Sequence, residues 1–109
     1  YKNELKDYII TPNIPDGFFS SWAQFTLMSS TEAERNKILG ALTENDIPSA
    51  IYYPTPAHMS TAYKTLKDDQ IALPQTEYAS KRVFSIPMHP YLKEVEIERI
   101  CKIIKKAIK

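Results

Sequence analysis

Over Ser20 to Met28, Ala23, Phe25 and Leu27 alternate with Trp22, Gln24, Thr26 and Met28. A period of two predicts a strand, and apolar residues on both faces suit a central one, with Trp22 a core anchor. Two further runs, Ser49 to Tyr53 and Val83 to Ile86, are short, rich in β-branched or aromatic residues, and cut off by proline. Pro54 removes a ladder donor and keeps Tyr53 extended, so the first of them ends abruptly. Elsewhere the spacing is helical. Tyr1, Leu5 and Tyr8 predict the tail of a helix, stopped by Pro12 and Pro15. Thr31-Glu32-Ala33-Glu34 fits a capping box, Ile38, Leu39 and Leu42 supply a buried stripe, and Asn45-Asp46 before Ile47-Pro48 ends the helix. Met59, Ala62, Tyr63 and Leu66 predict a short helix after His58. Lys67-Asp68-Asp69-Gln70 reads as a solvated loop, and Thr76 to Arg82 as another short helix with Pro74 near its start. The clearest element runs from about Lys93 to Ala107. Ile97, Ile100, Cys101, Ile104, Ala107 and Ile108 form its apolar stripe, widened by Val95 and Ile103. Its glutamates sit early and its lysines late, as the helix dipole prefers.

This order predicts an α/β (α+β) fold, a small, mostly antiparallel, three- to four-stranded sheet covered by helices. With 109 residues, 43% hydrophobic and 25% charged, one domain spanning 1–109 with a modest core is expected. No apolar run approaches the ~20 residues of a membrane span, and these residues hold no charged leader followed by an apolar stretch and a small-residue cleavage site, so a soluble, cytoplasmic protein is expected. The chain begins at Tyr1 inside a charged, helix-like phrase and reads as a piece of something longer. A net charge of +1 gives no general attraction to nucleic acid. Two glycines, Gly17 and Gly40, are too few for a phosphate-cradling loop. The single cysteine, Cys101, excludes an internal disulfide and reads as a buried hydrophobe.

Candidate chemistry centres on two proline-stiffened turns, Pro54-Thr55-Pro56-Ala57-His58 and Pro87-Met88-His89-Pro90. If the strands before them are neighbours, His58 and His89 emerge at a common rim, where either can bind a ligand or move a proton. The plainer reading is that each satisfies backbone groups in its own turn. Two histidines without a third ligand do not make a zinc site, and no serine lies in a nucleophile elbow. Tyr52, Tyr53, Tyr63 and Tyr91 carry hydroxyls suited to a polyol, though half-buried core positions are the plainer expectation for most of them.

Several phrases, in order, carry a resemblance along nearly the whole chain. They are Ser21-Trp22-Ala23-Gln24-Phe25-Thr26, Arg35, Tyr52-Tyr53-Pro54-Thr55-Pro56-Ala57-His58 with Tyr63, Leu73-Pro74 with Glu77, and Ser85-Ile86-Pro87-Met88-His89-Pro90-Tyr91-Leu92. The chain resembles the C-terminal small domain of the DegT/DnrJ/StrS sugar aminotransferases, pyridoxal-phosphate enzymes of the aspartate-aminotransferase fold. It looks most like the branch acting on UDP-linked keto sugars for polysaccharide or glycan synthesis. Asp46 where members often have glycine, and Ala57 where they have a larger apolar residue, bear on the branch rather than the family. The resemblance implies a homodimeric parent enzyme that moves an amino group from glutamate to a nucleotide sugar. It places the Schiff-base lysine and phosphate cup in a large domain upstream of Tyr1. It assigns Tyr53, His58, Met88 and His89 to the substrate wall, with the histidines donating to sugar or phosphate oxygens. No catalytic, cofactor-binding or metal residue is expected in this chain, so the chain alone is expected to be inactive and to hold no pyridoxal phosphate. A free-standing α/β interaction module, its histidine turns purely structural, stands as the alternative.

Overall fold

The computed structural model describes residues 1–64 and 72–109. Leu66 and the loop Lys67 to Gln70 lie outside the described residues. Helix α1 (Lys2–Leu5) is followed by strand β1 (Phe25–Met28) and α2 (Glu32–Glu44). A 3-10 turn (Ala57–Met59), α3 (Thr61–Lys64), α4 (Pro74–Ser80), β2 (Val83–Ile86) and α5 (Glu94–Ile108) complete the order.

The expected three- to four-stranded sheet is reduced to two strands among the described residues. β1 and β2 pair antiparallel, Phe25 opposite Ile86 and Leu27 opposite Phe84. The segments flanking them make only single antiparallel bridges, Ile10 with Met28 and Ala50 with Ser85. Prolines explain the loss: Pro12 follows Ile10 closely, and Pro48 and Pro54 bracket the predicted strand Ser49 to Tyr53. β1 is likewise shorter than the alternation predicted. Trp22 stands at φ 53°, a left-handed conformation no strand can contain, with its N–H donating to Ser20 Oγ at 3.2 Å. Its ring still stacks on Phe25, centroids 5.3 Å apart, and packs against the core.

Phe25, Leu27, Phe84 and Ile86 form the buried inner face of the sheet. Against it lie Ile38 and Leu42 of α2, Ile100, Cys101, Ile104 and Ala107 of α5, and Leu5 and Ile9 from the opening segment. Cys101 is buried as expected, and burial raises its thiol pKa. Val95 does not widen the α5 stripe, being 74% exposed. The outer face carries the polar pair Thr26 and Ser85, whose hydroxyls meet at 2.8 Å.

Helix α2 begins as its sequence dictates. Thr31 Oγ1 accepts from Glu34 N at 3.1 Å, and Glu34 Oε2 accepts from the N–H of Ser30, one residue before the cap. It ends in a Schellman turn: Ile47 N donates to Leu42 O and Asp46 N to Thr43 O, with Asp46 at φ 56°. Arg35, buried to 8% exposure, reaches from α2 to the end of α4 and donates from Nη1 to Ser80 O at 3.0 Å. Arg82 lies over the Tyr78 ring at 3.7 Å and donates to Tyr78 O and Ser30 O. Two guanidinium groups thus tie the C-terminal carbonyls of α4 to the start of α2.

Candidate functional site

The Ala50–Ser85 bridge is antiparallel, so the chain beyond Ala50 and the chain beyond Ser85 run in opposite directions. The two histidines therefore leave the sheet at different ends, and the expected common rim does not form. His89 follows β2 toward Pro48, whereas His58 follows the other segment toward α4.

At the first end, Met88 and His89 line a shallow cavity of about 300 Å³ with Gln24, Ser49, Tyr52 and Pro87. Pro87 and Pro90 fix the backbone on either side of His89, which leaves that side chain exposed at the surface. His89 also borders a smaller cavity of about 180 Å³ containing Glu96 and Arg99. Arg99 is held there by donating to Asn45 O at 2.7 Å. Tyr52 lines the larger cavity, while Tyr53 stands 78% exposed beside it in the chain. Tyr52, Tyr63 and Tyr91 are also exposed, contrary to the half-buried positions expected for most of the four. With their segments outside regular strands, the inner sheet face has no slot for them.

At the other end, His58 sits in the 3-10 turn after Pro56 with its side chain 13% exposed. Its Nε2 lies 3.1 Å from Glu77 Oε1, and the same oxygen accepts the N–H of Leu73 at 3.3 Å. The His58 hydrogen bond first, then the Leu73 amide, lowers the Glu77 pKa below the ordinary carboxylate range. His58 Nδ1 is buried and has no hydrogen-bond partner among the described residues. His58 is thus held by a carboxylate rather than by the backbone of its own turn. In the sequence Glu77 stands out only within a phrase with Leu73-Pro74, because a contact across 19 residues has no periodic signature.

Pyridoxal phosphate requires a lysine in a dry pocket and a cup for its phosphate. Lys105 is ion-paired to Glu4, and that hydrogen bond raises its pKa, the reverse of what a Schiff-base amine needs. Lys102, Lys106 and Lys109 share with it an open cavity of about 390 Å³. These lysines do not fit the group. Among the described residues there is also no cluster of three His, Cys, Asp or Glu able to hold a metal ion, and no helix long and apolar enough to cross a membrane.

A profile of the DegT/DnrJ/EryC1/StrS aminotransferase family matches residues 1–105. Over 97 residues the chain is 34% identical to the UDP-N-acetyl-3-dehydro-alpha-D-glucosamine 3-aminotransferase of Acidithiobacillus ferrooxidans, covering 89% of this chain and 25% of that protein. Over 91 residues it is 33% identical to the UDP-2-acetamido-2-deoxy-3-oxo-D-glucuronate aminotransferase of Pseudomonas aeruginosa, covering 84% of this chain and 24% of that one. Its fold matches a crystal structure of a DegT DnrJ EryC1 StrS aminotransferase from Brucella abortus with a TM-score of 0.86 and 37% identity, over 96% of this chain and 27% of the other. Structures named in their PLP and PMP forms share the fold at 22% identity. The chain spans about a quarter of the length of the curated relatives it matches.

Proposed function

Because the chain belongs to the DegT/DnrJ/EryC1/StrS aminotransferase family, we propose that it is the C-terminal domain of an enzyme that transfers an amino group from glutamate to a UDP-linked keto sugar. The observation that carries this reading is the 34% identity to an aminotransferase named for a UDP-linked 3-dehydro sugar. Pyridoxal phosphate, bound by the rest of such an enzyme, supplies the amino-group chemistry. The described lysines of this chain have no part in that step.

What this chain contributes is substrate positioning. Met88 and His89 border a cavity at the protein surface, and Tyr53, exposed, follows the lining residue Tyr52 in the chain. His89 donates to a sugar or phosphate oxygen and Met88 and Tyr53 form the apolar side, while His58, at the opposite end of the sheet with its Nε2 on Glu77, contributes to the wall apart from that cavity. The parent enzyme is a cytoplasmic homodimer serving surface polysaccharide or glycan synthesis. The 109-residue chain alone is inactive.

The deciding experiment is the visible spectrum of the protein from its complete reading frame, with pyridoxal phosphate, before and after glutamate. A cofactor band that bleaches on adding glutamate is expected. Absence of a band from well-folded protein overturns the proposal and leaves the interaction module. A borohydride-trapped cofactor adduct on the 109-residue chain would overturn its assigned inactivity. The variant His89→Ala in the complete protein is expected to weaken UDP binding about tenfold, the loss of one hydrogen bond to a charged group, while the cofactor band stays.

A further inference from the structure

The proposed wall leaves one polar arrangement unexplained. His58 is largely buried, its Nε2 faces a carboxylate from a different element, and its Nδ1 lies buried without a partner among the described residues. Buried polar atoms are normally satisfied, so an orphaned ring nitrogen beside a paired one calls for a reason. Glu77, its side chain 40% exposed, stands on an anchored helix. Its Oε1 also receives the Leu73 N–H, and Arg35 and Arg82 pin the carbonyls at the other end of α4.

We propose that Glu77 is the positioning residue of the site: by accepting from Nε2–H it fixes the tautomer and orientation of His58 and ties the histidine turn to α4. A neutral imidazole donates from one nitrogen only. With Nε2 donating to the carboxylate, Nδ1 is the accepting nitrogen, and the ring cannot turn over without breaking the bond. The 3-10 turn Ala57–Met59 is then tied to an element that begins fifteen positions after it, at Pro74, beyond Thr61–Lys64. The depressed pKa of Glu77 agrees with this geometry. His58 and Leu73 are its larger causes, and Lys81 is the other charged neighbour acting on it. The consequence for a sugar nucleotide rests on the functional reading above, whereas the His58–Glu77 pairing does not.

The experiment separates the two. Carbon-13 NMR of the Glu77 carboxyl in the 109-residue chain should show titration below the ordinary glutamate range, moving up in His58→Ala. The His58 ring N–H signal should be protected from exchange, be lost in Glu77→Ala, and return in Glu77→Gln, whose amide oxygen still accepts. The methyl signals of the buried Leu27, Ile38 and Ile104 report in each variant whether the fold is intact. A Glu77 titration unmoved by His58→Ala, or a ring proton indifferent to Glu77→Ala, overturns the proposal. In the protein from the complete reading frame, Glu77→Ala should weaken UDP binding about fivefold to tenfold, with Glu77→Gln recovering most of it. UDP affinity unchanged in Glu77→Ala while the NMR signatures respond would overturn the positioning role and leave a structural latch. If wild-type protein fails to bind UDP while those signatures respond, the substrate reading falls with the role, and the pairing stands.

Discussion

Asp46 holds φ at 56° in the position after the α2 cap, where the Schellman turn needs a left-handed residue. Aspartate tolerates that conformation better than most L-residues, but glycine adopts it without steric cost. Asp46→Gly is therefore expected to raise stability by about 0.5–1 kcal/mol, and Asp46→Val to lower it by more, as urea midpoints will show. Glu77 makes a second residue-scale prediction. Because its folded pKa lies below the ordinary value, its pairing stabilises the fold fully above the ordinary glutamate range. That contribution is lost as pH falls through the folded value. Glu77→Gln should flatten the acid arm of the stability profile over that window. Glu4 is depressed in the same sense by its hydrogen bond to Lys105, whereas the raised Lys105 pKa acts at the alkaline end. The lysine's contribution is present below the ordinary lysine range and lost as pH rises through its folded value. Glu4 is exposed, so added salt should weaken this second pair most.

At the scale of elements, α2 depends on its ends. Thr31 satisfies the Glu34 amide and the Schellman turn satisfies the last carbonyls, while Ile38 and Leu42 anchor the middle. Thr31→Ala is expected to cost about 1 kcal/mol in the urea midpoint, typical of a lost N-cap. Capping residues and an apolar stripe lie within a few positions of one another, which is why α2 and α5 were legible from the sequence. The strands were legible as segments but not as a sheet. Alternation located β1, and a short apolar run closed by proline located β2, yet neither could show that Trp22 would turn left-handed or that the segments carrying Ile10 and Ala50 would contribute one bridge each. Strand pairing is decided by partners far away in sequence, and proline decides how far a pairing extends.

Taken whole, the molecule is a slab. Its principal extents are 50 × 37 × 24 Å, and its radius of gyration of 15.9 Å exceeds the about 13 Å of a compact chain of this length. The helices cover the inner sheet face, and the core concentrates on a few large residues, Phe84 and Leu27 being almost wholly buried. Leu27→Ala is expected to cost about 2–5 kcal/mol in chemical unfolding, enough to threaten a chain with so small a core. Phe18, Phe19, Tyr53 and Tyr91 remain highly exposed. Sequence periodicity did not reveal this, because large aromatics in loops look like core residues until the sheet that would cover them proves to have two strands.

The sequence by itself determined the main helices, the capping box of α2, the two strand segments, the buried Cys101 and the family, since all of these rest on local spacing or on an ordered set of phrases. Tertiary structure decided that His58 and His89 part company, because the antiparallel bridge at Ala50 and Ser85 sends their turns in opposite directions. It also decided that Glu77 meets His58 and that Arg35 meets Ser80. Those contacts join groups 19 and 45 residues apart, and no local period encodes a distance that only the packed core enforces.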